Sequence, residues 1–207
     1  MQEPIEKDTL AETLGTYSAP VLFVGLALFW AIPSAIGLVG SITGGNSGSK
    51  TTQLDLNHKI VYAIGSAEGT RTCNGGKTKA YGNHSDPGDG KTNGGTFSAA
   101  PRGNEITDSM SPDERDAVFL VEINNALKST DLSKMSKIEI ANFADLLVQA
   151  HPEVSAQFAK TTGPDIVSRR VKSFHFNGVN ESWTTVERLK TDQQRRFDRI
   201  SECLGMK

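Results

Sequence analysis

One uncharged, hydrophobic stretch near the N-terminus limits what this chain can fold into. No charged residue occurs between Thr13 and Ser49, and the run from Pro20 to Val39 is almost entirely apolar. This run has about the ~20 residues that a helix needs to cross the hydrocarbon of a bilayer, and it lacks the polar face of a soluble helix. We therefore predict a transmembrane anchor at residues 19–40.

The residues before the anchor favour an uncleaved segment over a secretory signal peptide. A signal peptide begins with a short basic region, whereas residues 1–18 form a longer acidic tail. Pro33 and several glycines interrupt the apolar run, so a hydrophobic hairpin or a partial insertion remains an alternative. Lys7 precedes the anchor and Lys50 and Lys59 follow it, a distribution that leans toward a cytoplasmic C-terminal domain.

The remainder of the chain has the length of one domain. Residues 41–53 are rich in Gly, Ser and Thr, which predicts a flexible linker, and residues 54–207 form the expected domain. The formal net charge of -2 gives no basic excess for binding phosphates, so nucleic acid is not an expected partner. Cys73 and Cys203 lack the spacing of metal ligands, and a disulfide or two free thiols are both open interpretations.

Hydrophobic spacing and helix-start signals predict a mainly α domain with four or five helices. The first helix is predicted at 54–68, because apolar residues recur there at helical spacing. Capping boxes at Ser111–Glu114 and Ser136–Glu139 predict two further helix starts, and Thr184–Glu187 predicts the start of the last helix. The polar residues 190–199 of that last helix are interpreted as a solvated charged face in preference to a binding patch.

Residues 69–98 are dense in glycine and in turn-forming residue pairs. The first of them, Gly69, is expected to end the first helix. These pairs predict irregular structure or a small hairpin, with short β-prone pieces around Tyr81 and at residues 96–97. A mere spacer would not need aromatic residues or His84, and a long loop inside a compact domain is more often functional or disordered than neutral. We therefore expect the working surface of the domain in this segment.

Two kinds of site are not indicated. Gly76, Lys77 and Thr78 look like the end of a phosphate-binding loop, but Arg71 stands where that loop requires a glycine. The preceding element is also a predicted helix, where a phosphate-binding loop follows a strand, so no nucleotide is expected. The histidines show no spacing typical of zinc ligands, so neither a metal nor another cofactor is expected.

Glu68 has the most suggestive placement of the titratable residues. Its predicted position is the C-terminal end of an apolar helix, directly before the polar loop. Partial burial and the negative end of the helix dipole would both raise its pKa. A general acid needs such a pKa to remain protonated near neutral pH and to protonate a glycosidic oxygen. An ordinary solvated glutamate in a last helical turn explains the same sequence, and the spacing does not separate the two interpretations.

The sequence around Glu68 resembles a known enzyme class. Ala67-Glu68-Gly69-Thr70 and the glycine-rich stretch after it are similar to the opening of lysozyme-like muramidase and lytic transglycosylase domains, including the phage lambda endolysin type. The likeness to this class covers residues 63–98. It implies a lysozyme-like α+β fold with a small hairpin, Glu68 as the catalytic acid, peptidoglycan glycan strands as the substrate, and no cofactor.

A second resemblance spans most of the domain. A set of cyanobacterial proteins has the pattern AEGTR, then AYYGHTDPGNG, then RxxSF, Trp and DQxRR, and this chain is similar to it at residues 67–71, 80–90, 170–174, 183 and 192–196. The set has no established reaction, so this resemblance implies a family rather than an activity. Asn83 and Cys73 depart from the pattern, and neither departure removes the candidate acid.

Further site candidates lie in the glycine-rich stretch. Asp86 would be a second carboxylate, acting as base or electrostatic partner, although its Asp-Pro-Gly turn suits a structural role equally well. A carboxyl separation of about 5 Å would open a retaining mechanism and a longer one an inverting mechanism, whereas a lone glutamate would suit a lytic transglycosylase. The candidates for binding the sugar are Tyr81, His84, Asn93 and Thr96, and packing or turn roles remain open for the first two.

These expectations combine into a membrane-tethered, lysozyme-like peptidoglycan hydrolase or lytic transglycosylase with its soluble domain in the periplasm. The lysine distribution instead favours a cytoplasmic domain. A tethered phage endolysin that is held at the membrane until its release would be compatible with both the activity and this distribution. The main alternative is a catalytically inactive lysozyme-like module of a membrane or virion assembly, and a third is a cytoplasmic adaptor. An open cleft and a raised Glu68 pKa would favour the enzyme, whereas a filled cleft or a salt-bridged Glu68 would favour the module.

Overall fold

The computed structural model of the protein describes residues 53–85, 90–101, 104–150, 152–176 and 185–206. The predicted acidic tail, the predicted anchor at 19–40 and nearly all of the predicted linker lie outside these ranges. No helix within the described ranges is both long and apolar enough to cross a bilayer. The described residues form a mainly α fold with little sheet, as the sequence predicts.

Six helices and one two-stranded sheet make up the described fold. In chain order they are α1 (Lys59–Glu68), β1 (His84–Ser85), β2 (Thr92–Asn93), α2 (Pro112–Ser129), α3 (Lys137–Gln149), α4 (Pro152–Lys160), α5 (Ile166–Phe176) and α6 (Val186–Leu204), with a 3-10 turn at Lys79–Tyr81 before β1. The strands pair antiparallel, with His84 opposite Asn93. The glycine-rich stretch therefore contains a small hairpin, although its strands lie between the predicted β-prone pieces and not at them.

Side-chain caps set the starts of the later helices. At the start of α2 the backbone N–H of Ser111 donates to Glu114 Oε2 at 2.7 Å, and the backbone N–H of Glu114 donates to Ser111 Oγ at 3.3 Å. The predicted box at the start of α3 is also present. At the start of α6 the cap is Thr185, whose hydroxyl accepts the backbone N–H of Arg188 at 3.2 Å. The last helix therefore begins one residue later than its predicted box implies.

The first helix begins at Lys59, and the predicted start at residue 54 is wrong. The backbone N–H of Leu54 donates to Asn124 Oδ1 at 2.8 Å, and its carbonyl accepts from Asn124 Nδ2 at 2.9 Å. This contact with α2 holds the approaching chain outside the helix, and His58 then caps the first turn. Gly69 ends α1 as predicted, because its φ of 80° lies in the left-handed region that glycine adopts without strain.

The first helix lies at the centre of the core. It packs mainly along α6 and also contacts α3. Burying apolar side chains contributes about 25 cal/mol for each Å² removed from water, and the almost fully buried apolar residues of α1 are Ile60, Val61, Ala63, Ile64 and Ala67. Glu68 follows directly after them, so its carboxyl group lies at the edge of the core.

A disulfide joins Cys73 to Cys203 and so decides between the two interpretations that the sequence left open. It connects the loop after α1 to the last turn of α6, across a sequence separation of 130 residues. In the chain-entropy model, closing a loop of this length stabilises the folded state by about 5 kcal/mol, because it restricts the unfolded chain. The bond fastens the loop that follows α1 to the last turn of α6.

Breaking this disulfide is expected to lower the free energy of unfolding by about 2–5 kcal/mol, because the unfolded chain regains conformational freedom. The measurement is urea unfolding of the full-length protein with and without dithiothreitol, beside the double variant Cys73→Ser/Cys203→Ser. The double variant should unfold like the reduced wild type and should not respond to the reductant. A wild-type midpoint that dithiothreitol leaves unchanged would contradict a disulfide that supports the fold.

Candidate active site

Glu68 is the last residue of α1, and its carboxyl group faces Arg196 of α6. The guanidinium contacts both carboxyl oxygens, with Nη1 2.6 Å from Oε1 and Nη2 3.3 Å from Oε2. The side chains of Glu68 and Arg196 are only 11% and 12% exposed. The pair therefore combines a nearly buried carboxyl group with a guanidinium fork that fixes its orientation.

Arg196 also binds two other carboxylates. Its Nη1 lies 3.4 Å from Asp145 Oδ1 in α3, and its Nε lies 3.2 Å from Asp192 Oδ2, one turn earlier in α6. Asp145 is fully buried and is paired a second time, by Arg170 Nη2 of α5 at 2.6 Å. One guanidinium is thus divided among three carboxyl groups that come from three helices.

Amide side chains complete the buried part of this cluster. Arg170 donates from Nη1 to Asn142 Oδ1 and from Nε to Gln193 Oε1, both at 2.7 Å. Gln193 in turn donates to Gln149 Oε1 at 3.0 Å. Buried charges are tolerated only when their hydrogen-bonding groups are satisfied. We call the connected set Glu68, Asp145, Arg170, Asp192, Gln193 and Arg196 the Glu68 network.

Two carboxyl groups of the network, Glu68 and Asp192, have pKa values that are shifted in opposite directions. Burial raises the pKa of Glu68, and Arg196 opposes that shift without cancelling it, while the negative charge of Asp145 adds to it. Burial also acts on Asp192, but the charges of Arg196 and Arg195 outweigh it and hold the pKa of Asp192 below its ordinary value. Between these two carboxyl groups, the proton therefore goes to Glu68.

Arg195 caps the C-terminal end of α1 beside Glu68. Its Nη1 donates to the carbonyl oxygen of Ala67 at 2.9 Å, and its Nη2 lies 2.8 Å from Asp192 Oδ1. A cation at this position satisfies a carbonyl that the helix leaves unpaired and interacts favourably with the negative end of the helix dipole. The neighbouring arginines of α6 therefore hold both the backbone and the side chain at the end of α1.

Hydrogen bonds of buried side chains attach the hairpin region to this end of α1. The hydroxyl of Thr70, two residues after Glu68, donates to the carbonyl oxygen of Thr96 at 2.5 Å. The hydroxyl of Thr96 donates to Asp116 Oδ2 of α2 and accepts from Arg71 Nε, both at 2.6 Å. Because Thr96 is fully buried, its polar atoms serve this junction between α1, the hairpin region and α2.

The predicted sugar-binding residues divide into buried and half-buried groups. The hydroxyl of Tyr81 donates to Asp113 and lies 3.1 Å from Asp116 Oδ2, and its side chain is buried with Thr96. Asn93 is also buried, whereas His84 is half-buried and contacts Ser98. Asp86, the candidate second carboxylate, lies outside the described residues. The structure thus brings Tyr81 and Thr96 together around Asp116 and places His84 with Ser98.

The interpretation of residues 190–199 as a solvated face is wrong for its inner residues. Lys190 and Asp198 are exposed as expected, but Gln193 is buried and Arg196 is nearly so. The physical reason is that α6 lies against α1, where the carboxyl groups of Glu68 and Asp145 offer partners for these polar groups. The signal that points to them is the RxxSF and DQxRR pattern of the second resemblance, which contains Arg170, Asp192, Gln193 and Arg196.

Two other features bear on what the described part of the chain can bind. Among the described residues, no group of three or more His, Cys, Asp or Glu side chains is arranged to hold a metal ion. A surface cavity of about 640 Å³ lies where the end of α2, the start of α3 and the end of α4 meet, and Lys134, Met135 and Thr162 are among its lining residues. This cavity contains no member of the Glu68 network.

Comparisons with known proteins identify no relative: no family model matches the chain, and no curated protein or solved structure is similar to it.

Replacing Arg196 is expected to destabilise the protein by about 3–5 kcal/mol, because Arg196→Met leaves the nearly buried carboxyl group of Glu68 without its cation and leaves Asp145 with Arg170 alone. The matched control is Arg199→Met on the same helix, whose side chain is 57% exposed and whose loss should cost at most about 1 kcal/mol. Urea unfolding of both variants gives the two values. Equal losses for the two arginines would contradict a supporting role of the Glu68 network.

Proposed function

We propose that this protein is a lysozyme-like enzyme that cleaves peptidoglycan glycan strands, with Glu68 as its general acid. The resemblance at Ala67-Glu68-Gly69-Thr70 first suggests this activity. Two features of the structure support it: Glu68 ends a buried helix, and a small hairpin is attached two residues later through Thr70. The finer description of the fold as lysozyme-like is part of the same proposal.

The observation that carries the proposal is the separation of the pKa values within the Glu68 network. Burial raises the pKa of Glu68, while the pKa of Asp192 on the same guanidinium is lowered. Enzymes that use a carboxyl group as an acid place it where the neutral form is favoured, beside carboxyl groups that remain ionised. Glu68 has the raised pKa of this pair, and Asp192 has the lowered one.

The unequal contacts of Arg196 are compatible with a protonated Glu68. The contact to Oε1 is 2.6 Å, whereas the contact to Oε2 is 3.3 Å. A neutral carboxyl group can keep the shorter bond, because its carbonyl oxygen still accepts from the guanidinium, while the hydroxyl forms on Oε2 and turns toward a substrate. In the proposed reaction this proton passes to the glycosidic oxygen as the bond between that oxygen and the anomeric carbon breaks.

A second candidate function is the catalytically inactive module, and the salt bridge itself favours it. Both oxygens of Glu68 lie within hydrogen-bonding distance of a permanently charged guanidinium, which stabilises the carboxylate form. In that case the Glu68 network would be a structural ion cluster, and the protein would bind peptidoglycan or an assembly partner without cutting. The enzyme remains our first proposal, because the charge of Arg196 is divided among three carboxyl groups.

The disulfide supports an extracytoplasmic location for the proposed enzyme. Disulfides persist in oxidising compartments and are rare where cellular thiols are kept reduced, and the periplasm, where peptidoglycan lies, is oxidising. This favours the periplasmic orientation over the cytoplasmic one to which the lysine distribution leans. Attachment to the membrane through residues 19–40 belongs to the proposal and would place the domain beside its substrate.

The decisive experiment is the clearing of purified peptidoglycan by the full-length protein beside Glu68→Gln. Loss of the general acid is expected to lower the rate about 10²–10⁴-fold, while glutamine keeps the shape and an acceptor oxygen for Arg196. The matched control is Glu202→Gln, whose side chain is 49% exposed at the far end of α6 and which should clear like wild type. If the wild type is inert on several cell-wall types but still sediments with them, the inactive module replaces the enzyme.

The pH profile gives a separate prediction for the acid. As the pH rises through the pKa of Glu68, which burial raises, the proton is lost and kcat/KM should fall on the alkaline side. Arg196 favours the ionised form, so Arg196→Met should raise the pKa of Glu68 and move this fall to higher pH. The measurement is kcat/KM against pH for both proteins, at a temperature where circular dichroism shows the variant folded. If kcat/KM falls at the same pH in the wild type and in Arg196→Met, the alkaline fall does not report the titration of Glu68.

A further inference from the structure

Arg195 lies next to the candidate acid and is much more accessible than its neighbour Arg196. Its side chain is 51% exposed, whereas that of Arg196 is 12% exposed. Nη1 of Arg195 donates to the carbonyl oxygen of Ala67, the residue before Glu68, at 2.9 Å. The charge of Arg195 also acts on Glu68, because it lowers the pKa of that carboxyl group in opposition to burial. Arg195 therefore places an accessible positive charge beside the group proposed to donate the proton.

One carboxylate holds the two neighbouring arginines of α6 in place. Asp192 Oδ1 accepts from Nη2 of Arg195 at 2.8 Å and from its Nε at 3.3 Å. The other oxygen, Oδ2, accepts from Nε of Arg196 at 3.2 Å. Arg196 in turn contacts both oxygens of Glu68. The guanidinium of Arg195 is thus separated by a single carboxylate from the guanidinium that orients the candidate acid.

The contacts of Arg195 leave it hydrogen-bond donors for a ligand. A guanidinium has five N–H groups. Nε–H and one N–H of Nη2 point to Asp192, and one N–H of Nη1 points to Ala67. Within the described part of the chain, this leaves one N–H on Nη1 and one on Nη2. Because the side chain is half-exposed, these donors are accessible, and the group that a guanidinium binds most strongly is a carboxylate or a phosphate.

The charges around Glu68 favour an anion at this place. Asp145 and Arg170 are both fully buried and form an ion pair with each other. Asp192 is then the one carboxylate shared by the two neighbouring arginines of α6. When Glu68 is protonated, as a general acid must be, this set of side chains has one positive charge in excess. The accessible part of that charge is the guanidinium of Arg195.

A role as a helix cap explains only part of the contacts of Arg195. The bond to the Ala67 carbonyl satisfies the end of α1, and it uses one N–H group. The ion pair with Asp192 fixes the rest of the guanidinium while its side chain stays half-exposed. A cation that is already held in place loses little conformational entropy when a ligand binds. Arg195 is therefore preorganised as a binding group.

Peptidoglycan strands carry carboxyl groups close to their glycosidic bonds. Every second sugar of the strand has a lactyl ether on the ring carbon two positions from its anomeric carbon. The carboxyl group of this ether is free in peptide-free strands. Where a stem peptide is attached it is a neutral amide, and the peptide then supplies carboxylates of its own. A cation beside the acid can therefore distinguish charged strands from neutral ones.

We propose that Arg195 is the specificity residue of the proposed enzyme and binds a carboxylate of the substrate next to the scissile glycosidic bond. This inference rests on the proposed function and narrows its substrate class to strands that carry such a carboxylate. The carboxylate lies against the accessible N–H groups of Arg195 while Glu68 gives its proton to the departing oxygen. Arg195 acts by binding and transfers no proton.

The test compares substrates that differ only in the charge of their carboxyl groups. Peptide-free strands, prepared with an amidase, carry the free lactyl carboxylate, and coupling to methylamine with a carbodiimide converts it to a neutral amide. The full-length wild type should cut the charged strands with a kcat/KM roughly tenfold higher, mainly through a lower KM. The same comparison with peptide-bearing strands identifies the stem peptide as the source if only those strands show the preference. Equal kcat/KM before and after amidation in both pairs would overturn the inference.

Replacing Arg195 separates binding of the carboxylate from a structural role. Arg195→Met should lose the preference and cut charged strands as slowly as amidated ones, and Arg195→Lys should keep part of the preference because it keeps the charge. The matched control is Arg199→Met, one turn later on α6 with a 57% exposed side chain, which should keep the wild-type ratio. All rates are measured below the pH of the alkaline fall, because the charge of Arg195 also acts on the pKa of Glu68.

The outcomes separate this inference from the function on which it rests. A structural arginine would slow the cutting of both substrates by the same factor in Arg195→Met and Arg195→Lys and leave their ratio unchanged, and this result overturns only the role of Arg195. A wild type without a preference between charged and amidated strands also overturns only that role. A wild type that leaves every strand intact overturns the enzymatic proposal and the inference with it.

Discussion

The contact between Glu68 and Arg196 connects the first and the last helix of the described fold, which are 128 residues apart at this point. Without this guanidinium the nearly buried carboxylate of Glu68 would be an uncompensated charge, whereas Arg196 would keep Asp145 and Asp192 as partners. This requirement fixes how α6 lies along α1. Asp145 and Arg170 extend the same requirement to α3 and α5. The arrangement of four helices thus depends on one set of charges, and the carboxyl group proposed to do chemistry is a member of that set.

Burial, with a smaller contribution from the charge of Asp145, explains how the pKa of a salt-bridged glutamate can still be raised. A single isolated pair of Glu68 and Arg196 would lower the pKa of the carboxyl group, because the cation stabilises the anion. Here the cation also faces Asp145 and Asp192, and Asp145 repels a negative charge on Glu68. Burial is nevertheless the largest cause of the raised pKa of Glu68. The pair therefore orients Glu68 firmly and stabilises its charge only in part, so an ion pair and a raised pKa are compatible at this position.

The sequence predicts the local features of the fold better than the features that depend on distant partners. The mainly α class, the end of α1 at Gly69 and the capping boxes of α2 and α3 follow from neighbouring residues, and the structure confirms them. The start of α1 depends on Asn124, which lies 70 residues away, and the burial of Arg196 depends on carboxyl groups in α1 and α3. Helical periodicity predicts neither the start of α1 nor the burial of Arg196, because it depends only on the residues of one segment. The segments of the second resemblance include Arg170, Asp192, Gln193 and Arg196 but not Asp145, and the pattern alone gives no physical reason for them.

Access to solvent gives the candidate residues of the glycine-rich stretch different roles. Tyr81 and Thr96 place their polar atoms on buried or shared carboxylates, so they build the junction that joins the hairpin region to α1 and α2. His84 and Ser98 are half-buried and contact each other. Groups that exchange protons with a substrate must be reachable and must also be held within fractions of an ångström of their working positions. The Thr70–Thr96 hydrogen bond supplies such a buried support two residues after Glu68, and the guanidinium of Arg196 holds the carboxyl group itself.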